Sequence, residues 1–206
     1  MANTNTPFGF SEYYGGAGGA PTFAQSELRI ASNDSTQVFT GDPVMPNSTT
    51  GYITQAAPGT EVLSGIFVGC KYLSVSQKRP VWSRYWPGAD ANGDVYAYVI
   101  TDPNARFVVM GNSTTFNISG TLTNYGTSPV GQYAQFAIGT GNTNTGTSGA
   151  YLNSLGSTVT YPFIVTDLVT FPQGANGADP TTAYNWVVVG FNNQISRTNG
   201  AGPTGI

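Results

Sequence analysis

The chain has 206 residues with 7 Lys and Arg against 10 Asp and Glu, a formal net charge of −3, and no histidine. An apolar fraction of 39% with 13% aromatics is too rich for intrinsic disorder. Seven basic residues are too few for a nucleic-acid-binding face, and the missing imidazole removes the serine-, cysteine- and zinc-type sites that depend on one.

Residues 1–26 differ from the rest. The segment MANTNTPFGF lacks the positive and apolar regions of a secretory signal, so synthesis in the cytoplasm without processing is expected. Phe8, Phe10, Tyr13 and Tyr14 fall within seven residues, followed by Gly15, Gly16, Gly18 and Gly19, which weaken helix and strand alike. This pattern suits an extended amino-terminal arm that pins aromatic side chains into a partner. The alternative is a tail folded back on its own domain.

Residues 27–206 read as a single β domain. Strand-like runs rich in Val, Ile, Tyr, Phe and Thr fall at 27–31, 37–40, 51–55, 63–76, 80–86, 95–101, 106–111, 114–119, 132–138, 158–167 and 186–192. Pro162 marks its run as an edge or bulged strand. Asn92-Gly93 signals a hairpin, and Gly41-Asp42-Pro43 and Asp102-Pro103-Asn104 signal turns. Residues 139–149 hold no apolar side chain and read as an exposed loop, near which the domain could be subdivided. Helix is confined to a short turn at 179–184 opened by Asp179-Pro180 and a second short start at 22–25. The expected fold is all-β, a β-barrel or a jelly-roll-like sandwich with very little helix. No apolar run approaches the ~20 residues of a membrane-spanning helix.

Few constellations carry chemistry. Cys70 lies in the apolar run IFVGCKYLSV and reads as a small buried hydrophobe. Asp90, Asn92 and Asp94 alternate like the start of a calcium loop, but Val95 and Thr101 stand where such a loop needs glycine and glutamate, so a hairpin turn is the better reading. The ten acids show no pairing suited to glycoside hydrolysis. In KRPVWSRYWPG, Lys78, Arg79 and Arg84 interleave with Trp82, Tyr85 and Trp86. Such a segment packs guanidinium groups on rings or contacts a neighbouring subunit. No cofactor, no metal and no catalytic residue is expected.

The order GIFVGCKY (65–72), KRPVWSRYWPG (78–88), VYAYVITDPN (95–104) and Arg106-Phe107 resembles structural proteins encoded beside capsid genes in tailed bacteriophages, over roughly residues 60–110. These are similar to capsid cement, or decoration, proteins. The resemblance implies a β-barrel or jelly-roll homodimer or homotrimer on the outer surface of the virion. It also implies the major capsid protein as partner, and no enzymatic activity, nucleic acid, membrane or small-molecule substrate. The arm aromatics Phe8, Phe10, Tyr13 and Tyr14, with Lys78, Arg79, Trp82, Arg84 and Trp86, are then the expected partner contacts. A second expectation is a carbohydrate- or receptor-binding module of a phage head or tail fibre, with Trp82, Tyr85, Trp86 and Trp186 stacking on sugars.

Overall fold

The fold is described from a computed structural model, which covers residues 2–14, 25–112, 114–118 and 128–196. Among the described residues fourteen strands follow in chain order: β1 (Ser11–Tyr14), β2 (Ser26–Ile30), β3 (Val38–Phe39), β4 (Pro43–Pro46), β5 (Ile53–Gln55), β6 (Gly65–Leu73), β7 (Pro80–Ser83), β8 (Tyr85–Trp86), β9 (Val95–Ile100), β10 (Arg106–Met110), β11 (Tyr133–Ala137), β12 (Tyr151–Gly156), β13 (Phe163–Leu168) and β14 (Trp186–Phe191). One sheet runs β1-β10-β14-β13-β11-β12. The second runs β2-β9-β6-β4-β5, with β7 also on β6, and β3 pairs β8 separately. The result is an all-β sandwich; no sheet closes into a barrel.

Alternation explains which faces are buried. Along β9, Val95, Ala97 and Val99 are buried while Tyr96 and Tyr98 are half-exposed. On β6 the ladder to β9 slips between Phe67 and Gly69. This bulge absorbs Val68 and restores the parity that puts Phe67, Cys70 and Tyr72 into one core with Trp86, Val95, Ala97 and Val99. A larger core lies on the first sheet. There Phe107, Phe136, Phe163 and Phe191 meet Ile66 and Ile100 from the second.

Residues 2–14 fold back on the same chain. β1 pairs antiparallel with β10. Phe10 is 3% exposed and stacks on Phe163 with ring centres 4.4 Å apart. Phe8 meets Trp186 edge-on at 4.9 Å. Asn3 donates from Nδ2 to the Asp179 carbonyl at 2.8 Å and accepts from the Gly177 N–H at 2.9 Å. Phe10 and Trp86, which is 0% exposed, are therefore core residues and not partner contacts. Residues 15–24 of the expected arm lie outside the described residues, as does most of the 22–25 helical fragment.

Other expectations change too. The 114–119 run holds a short 3-10 turn at Thr114–Phe116, whose Phe116 plugs the larger core. Residues 179–184 form turns without a helix; the Asp179 carboxylate accepts from the Thr181 N–H and hydroxyl. Pro162 sits just before β13, which is central in its sheet, so the proline interrupts no ladder. β8 and β9 lie in different sheets, so no hairpin forms at Asn92-Gly93; the segment crosses between sheets instead. Residues 139–149 join the paired strands β11 and β12. Their tip is exposed, but their base docks on β3: Thr40 donates to the Gly146 carbonyl at 3.0 Å, and a Cβ on Gly141 would stand 2.3 Å from the Phe39 ring.

Asp42 ties these pieces together. It is 1% exposed, and its carboxylate accepts from the Phe39 N–H at 2.8 Å, from Gln55 Nε2 at 2.7 Å and from the Ser148 hydroxyl. Burial pushes its carboxyl above the usual carboxylate range; the three hydrogen bonds oppose that shift.

Candidate functional site

The exposed face of the second sheet carries a row of aligned side chains. Arg29 on β2 is opposite Tyr96 on β9, Tyr96 is opposite Lys71 on β6, and Lys71 is opposite Trp82 on β7. The register thus sets cation, ring, cation and ring side by side across four strands. The Arg29 guanidinium lies 4.1 Å from the Tyr96 ring centre and the Lys71 ammonium 5.0 Å from it. Each contact contributes roughly 0.5–1 kcal/mol at such an open site. Their larger effect is to hold both cations in place.

Trp82 is the most exposed indole of the face, at 69%. Beside it the β6–β7 connection presents Leu73 and Val75, 43% and 56% exposed, and the exposed cations Lys78 and Arg79. This turn is built from its neighbours. Asp90 accepts from the Ser74 hydroxyl at 2.7 Å and from the Ser76 N–H at 2.9 Å, and Ser74 donates its N–H to the Arg79 carbonyl at 3.0 Å. The Ser74 and Ser76 hydrogen bonds hold the Asp90 carboxyl below the usual range. Asp94 accepts from the Tyr52 hydroxyl at 3.0 Å and pairs with Arg29 at 3.6 Å. Both acids of the segment once compared with a calcium loop are thus engaged by the chain itself. Among the described residues no group of three His, Cys, Asp or Glu is placed to hold a metal.

Between these parts runs a shallow groove of about 320 Å³, lined by Arg29, Lys71, Leu73, Pro80, Asp94 and Tyr96. Leu73 and Asn92 continue it into a second hollow of about 300 Å³ that reaches Val75 and Lys78. Among the described residues neither Lys71 nor Lys78 has a carboxylate within ion-pair distance. No protein-family model, no curated protein and no solved structure matches the chain.

The expected contact residues divide accordingly. Lys78, Arg79 and Trp82 are exposed on β7 and the connection before it, and Arg84 is exposed beside Gly146 of the 139–149 loop. Phe8 is half-buried against Trp186 and Tyr13 is 39% exposed on β1, both on the first sheet. The Tyr14 side chain lies outside what the structure describes. Sequence reading missed Arg29, Lys71 and Tyr96, because they are far apart in the chain and only strand register aligns them. The Val-Tyr-Ala-Tyr-Val alternation of β9 was the available signal, since it turns both tyrosines away from the core.

Proposed function

We propose that this chain is a capsid cement protein, bound to the outer surface of a phage head, where it stabilises contacts between major capsid protein subunits. The observation that supports it best is the surface around Trp82. A 69% exposed indole stands with two exposed aliphatic side chains and with Lys71 and Lys78, which have no carboxylate partner among the described residues, on a well-hydrogen-bonded frame. Exposed apolar groups gathered in this way mark interaction surfaces, and tryptophan with basic neighbours is the composition of binding hot spots. The strands that build this surface, β6, β7 and β9, lie inside the stretch that resembles cement proteins. The action is mechanical: a rigid sandwich, presented as a homodimer or homotrimer, spans neighbouring capsid subunits and resists their separation.

The test is co-sedimentation of purified protein with capsid shells that lack it. Wild type is expected to pellet with shells, and Trp82→Ala to pellet at least tenfold less well. Failure of the wild type to pellet overturns the reading. Deleting residues 1–25 is a poorer test, because it removes Phe10 from the core. Of the stacking residues of the sugar-binding alternative, Trp82 is exposed, Trp86 is buried, and Tyr85 and Trp186 are half-buried against Phe39 and Phe8.

A further inference from the structure

We propose that the groove beside Lys71 takes an acidic, extended segment of the partner protein, laid across the ends of β2, β9, β6 and β7. This rests on the cement reading and specifies the chemistry of its contact. Three features point to such an occupant.

The first is charge. The chain carries a formal −3 overall. Yet the groove is lined by Arg29 and Lys71, and its extension by Lys78. The one carboxylate lining it, Asp94, is already shared between Tyr52 and Arg29. The nearby Asp90 is occupied by Ser74 and Ser76. Lys71 and Lys78 are left as the positive charges that an incoming carboxylate would meet.

The second is pre-organisation. Lys71 is held over the Tyr96 ring at 5.0 Å, opposite Arg29 at 4.1 Å on the same ring. The side-chain entropy that binding would otherwise remove is already partly spent. Lys78 sits at φ 53° in a turn fixed by Asp90.

The third is shape and polarity. Two hollows of about 320 and 300 Å³ join through Leu73 and Asn92, which suits an elongated ligand over a compact one. Their apolar lining combines the aliphatic Leu73, Pro80 and Val75 with Tyr96 and the largely buried Tyr72, and Arg29 and Lys71 lie over the Tyr96 ring. The aliphatic walls take apolar side chains, and the ring on which a sugar would stack is already covered by the two cations. Addition of a partner strand to β7 is disfavoured, because that edge is four residues long and begins with a proline that has no N–H to offer. The occupant is therefore held by its side chains, acidic groups on Lys71 and Lys78 and apolar groups against Leu73 and Val75.

The experiment has two arms, both on the full chain. In the first, wild type, Lys78→Glu and Lys71→Glu/Lys78→Glu are co-sedimented with shells lacking the protein. The shells are used untreated or with their surface carboxylates amidated by carbodiimide and ethanolamine. In the second, fluorescence anisotropy follows binding of a labelled peptide of repeated Glu-Leu-Glu-Ser, its Lys-for-Glu counterpart, and competition by polygalacturonate. The expected results are at least tenfold weaker pelleting for the double variant, a similar loss on amidated shells, and a switch of the double variant from the acidic to the basic peptide. Lys78→Glu lies in an exposed turn, so its partial loss guards against misfolding of the double variant. Wild type that pellets equally with both kinds of shell, and variants that pellet like wild type, overturn the acidic-segment inference and leave cementing intact. Wild type that binds no shells overturns the cement reading, and the peptide arm then decides the groove alone. Polygalacturonate binding without peptide binding overturns the inference in favour of a glycan.

Discussion

The inner face of the first sheet and the outer face of the second are both aromatic, and they use their rings in opposite ways. On the first sheet Phe10, Phe163 and Phe191 stack at 4.4 and 5.8 Å, and Phe107 and Phe136 meet them edge-on. All five are at most 3% exposed. On the second, Tyr96 and Trp82 stand in the open with a cation on each side of the tyrosine. The strands alternate in the same manner in both places. What differs is whether another layer lies across from the face. A covered face converts ring area into stability at ~25 cal/mol per Å², whereas an uncovered one leaves that area available to a partner.

The largest expected effect breaks the covered side. Phe163→Ala removes a ring that touches Phe10, Phe136 and Phe191, and should cost about 3–5 kcal/mol in urea unfolding. Cys70 supplies an independent readout in the other core. Burial pushes its thiol up to about 12, so a thiol reagent at neutral pH should label native wild type slowly and label the destabilised variant as it opens.

Asp42, where the two halves are tied, comes next. Its folded-state pKa lies above the unfolded value of 3.8. The folded chain therefore holds the proton more tightly, and this group's contribution to stability is full below the unfolded pKa and lost as pH rises through the folded one. Asp90 and Asp179 are shifted the other way, so what they contribute is lost only as pH falls below the ordinary carboxylate range. Above the ordinary carboxylate range the tilt belongs to Asp42. Asp42→Asn should flatten it while costing about 1–3 kcal/mol, because the new amide faces one of three donors. A wild-type stability that does not decline over that window would remove the buried charge as its cause.

Asp90→Ala acts on the exposed side alone. It frees the turn that carries Lys78 and Arg79, at a stability cost of about 0.5 kcal/mol, small because the carboxylate is solvated. Shell binding should weaken several-fold, since the cations then lose their fixed positions.

The covered side was the more legible in sequence. β6, β9, β10 and β14 stand out as β-branched runs, and the sandwich follows from them. β1 was hidden behind glycines that begin immediately after it, and β4 by prolines at both of its ends. The 114–119 run has strand composition but serves to drop Phe116 into the core. On the exposed side, only the part written contiguously was readable. Lys78, Arg79, Trp82 and Arg84 were found together because they are neighbours in the chain, and Trp86 was swept in with them although it lies on β8, in a different sheet from Trp82, and is fully buried. Arg29, Tyr96 and Lys71 join that group through three registers that no local pattern states.

The smallest expected effect on stability is also the sharpest test of the difference between the two faces. Trp82→Ala removes an indole that is 69% exposed, and surface changes of this kind usually stay within about 0.5 kcal/mol. Trp86→Ala, one turn of chain away, empties a fully buried site between Tyr72 and the Asp34 carbonyl that accepts its indole N–H at 3.1 Å, and should cost about 3–5 kcal/mol. Iodide quenching separates the two without any partner: the quenchable part of the tryptophan emission should fall sharply in Trp82→Ala, leaving only the share of the partly exposed Trp186, and persist in the other variant for as long as it stays folded. If Trp82→Ala instead lowers stability as much as a core substitution, the indole is packed, and the face it stands on is a second core rather than a docking surface.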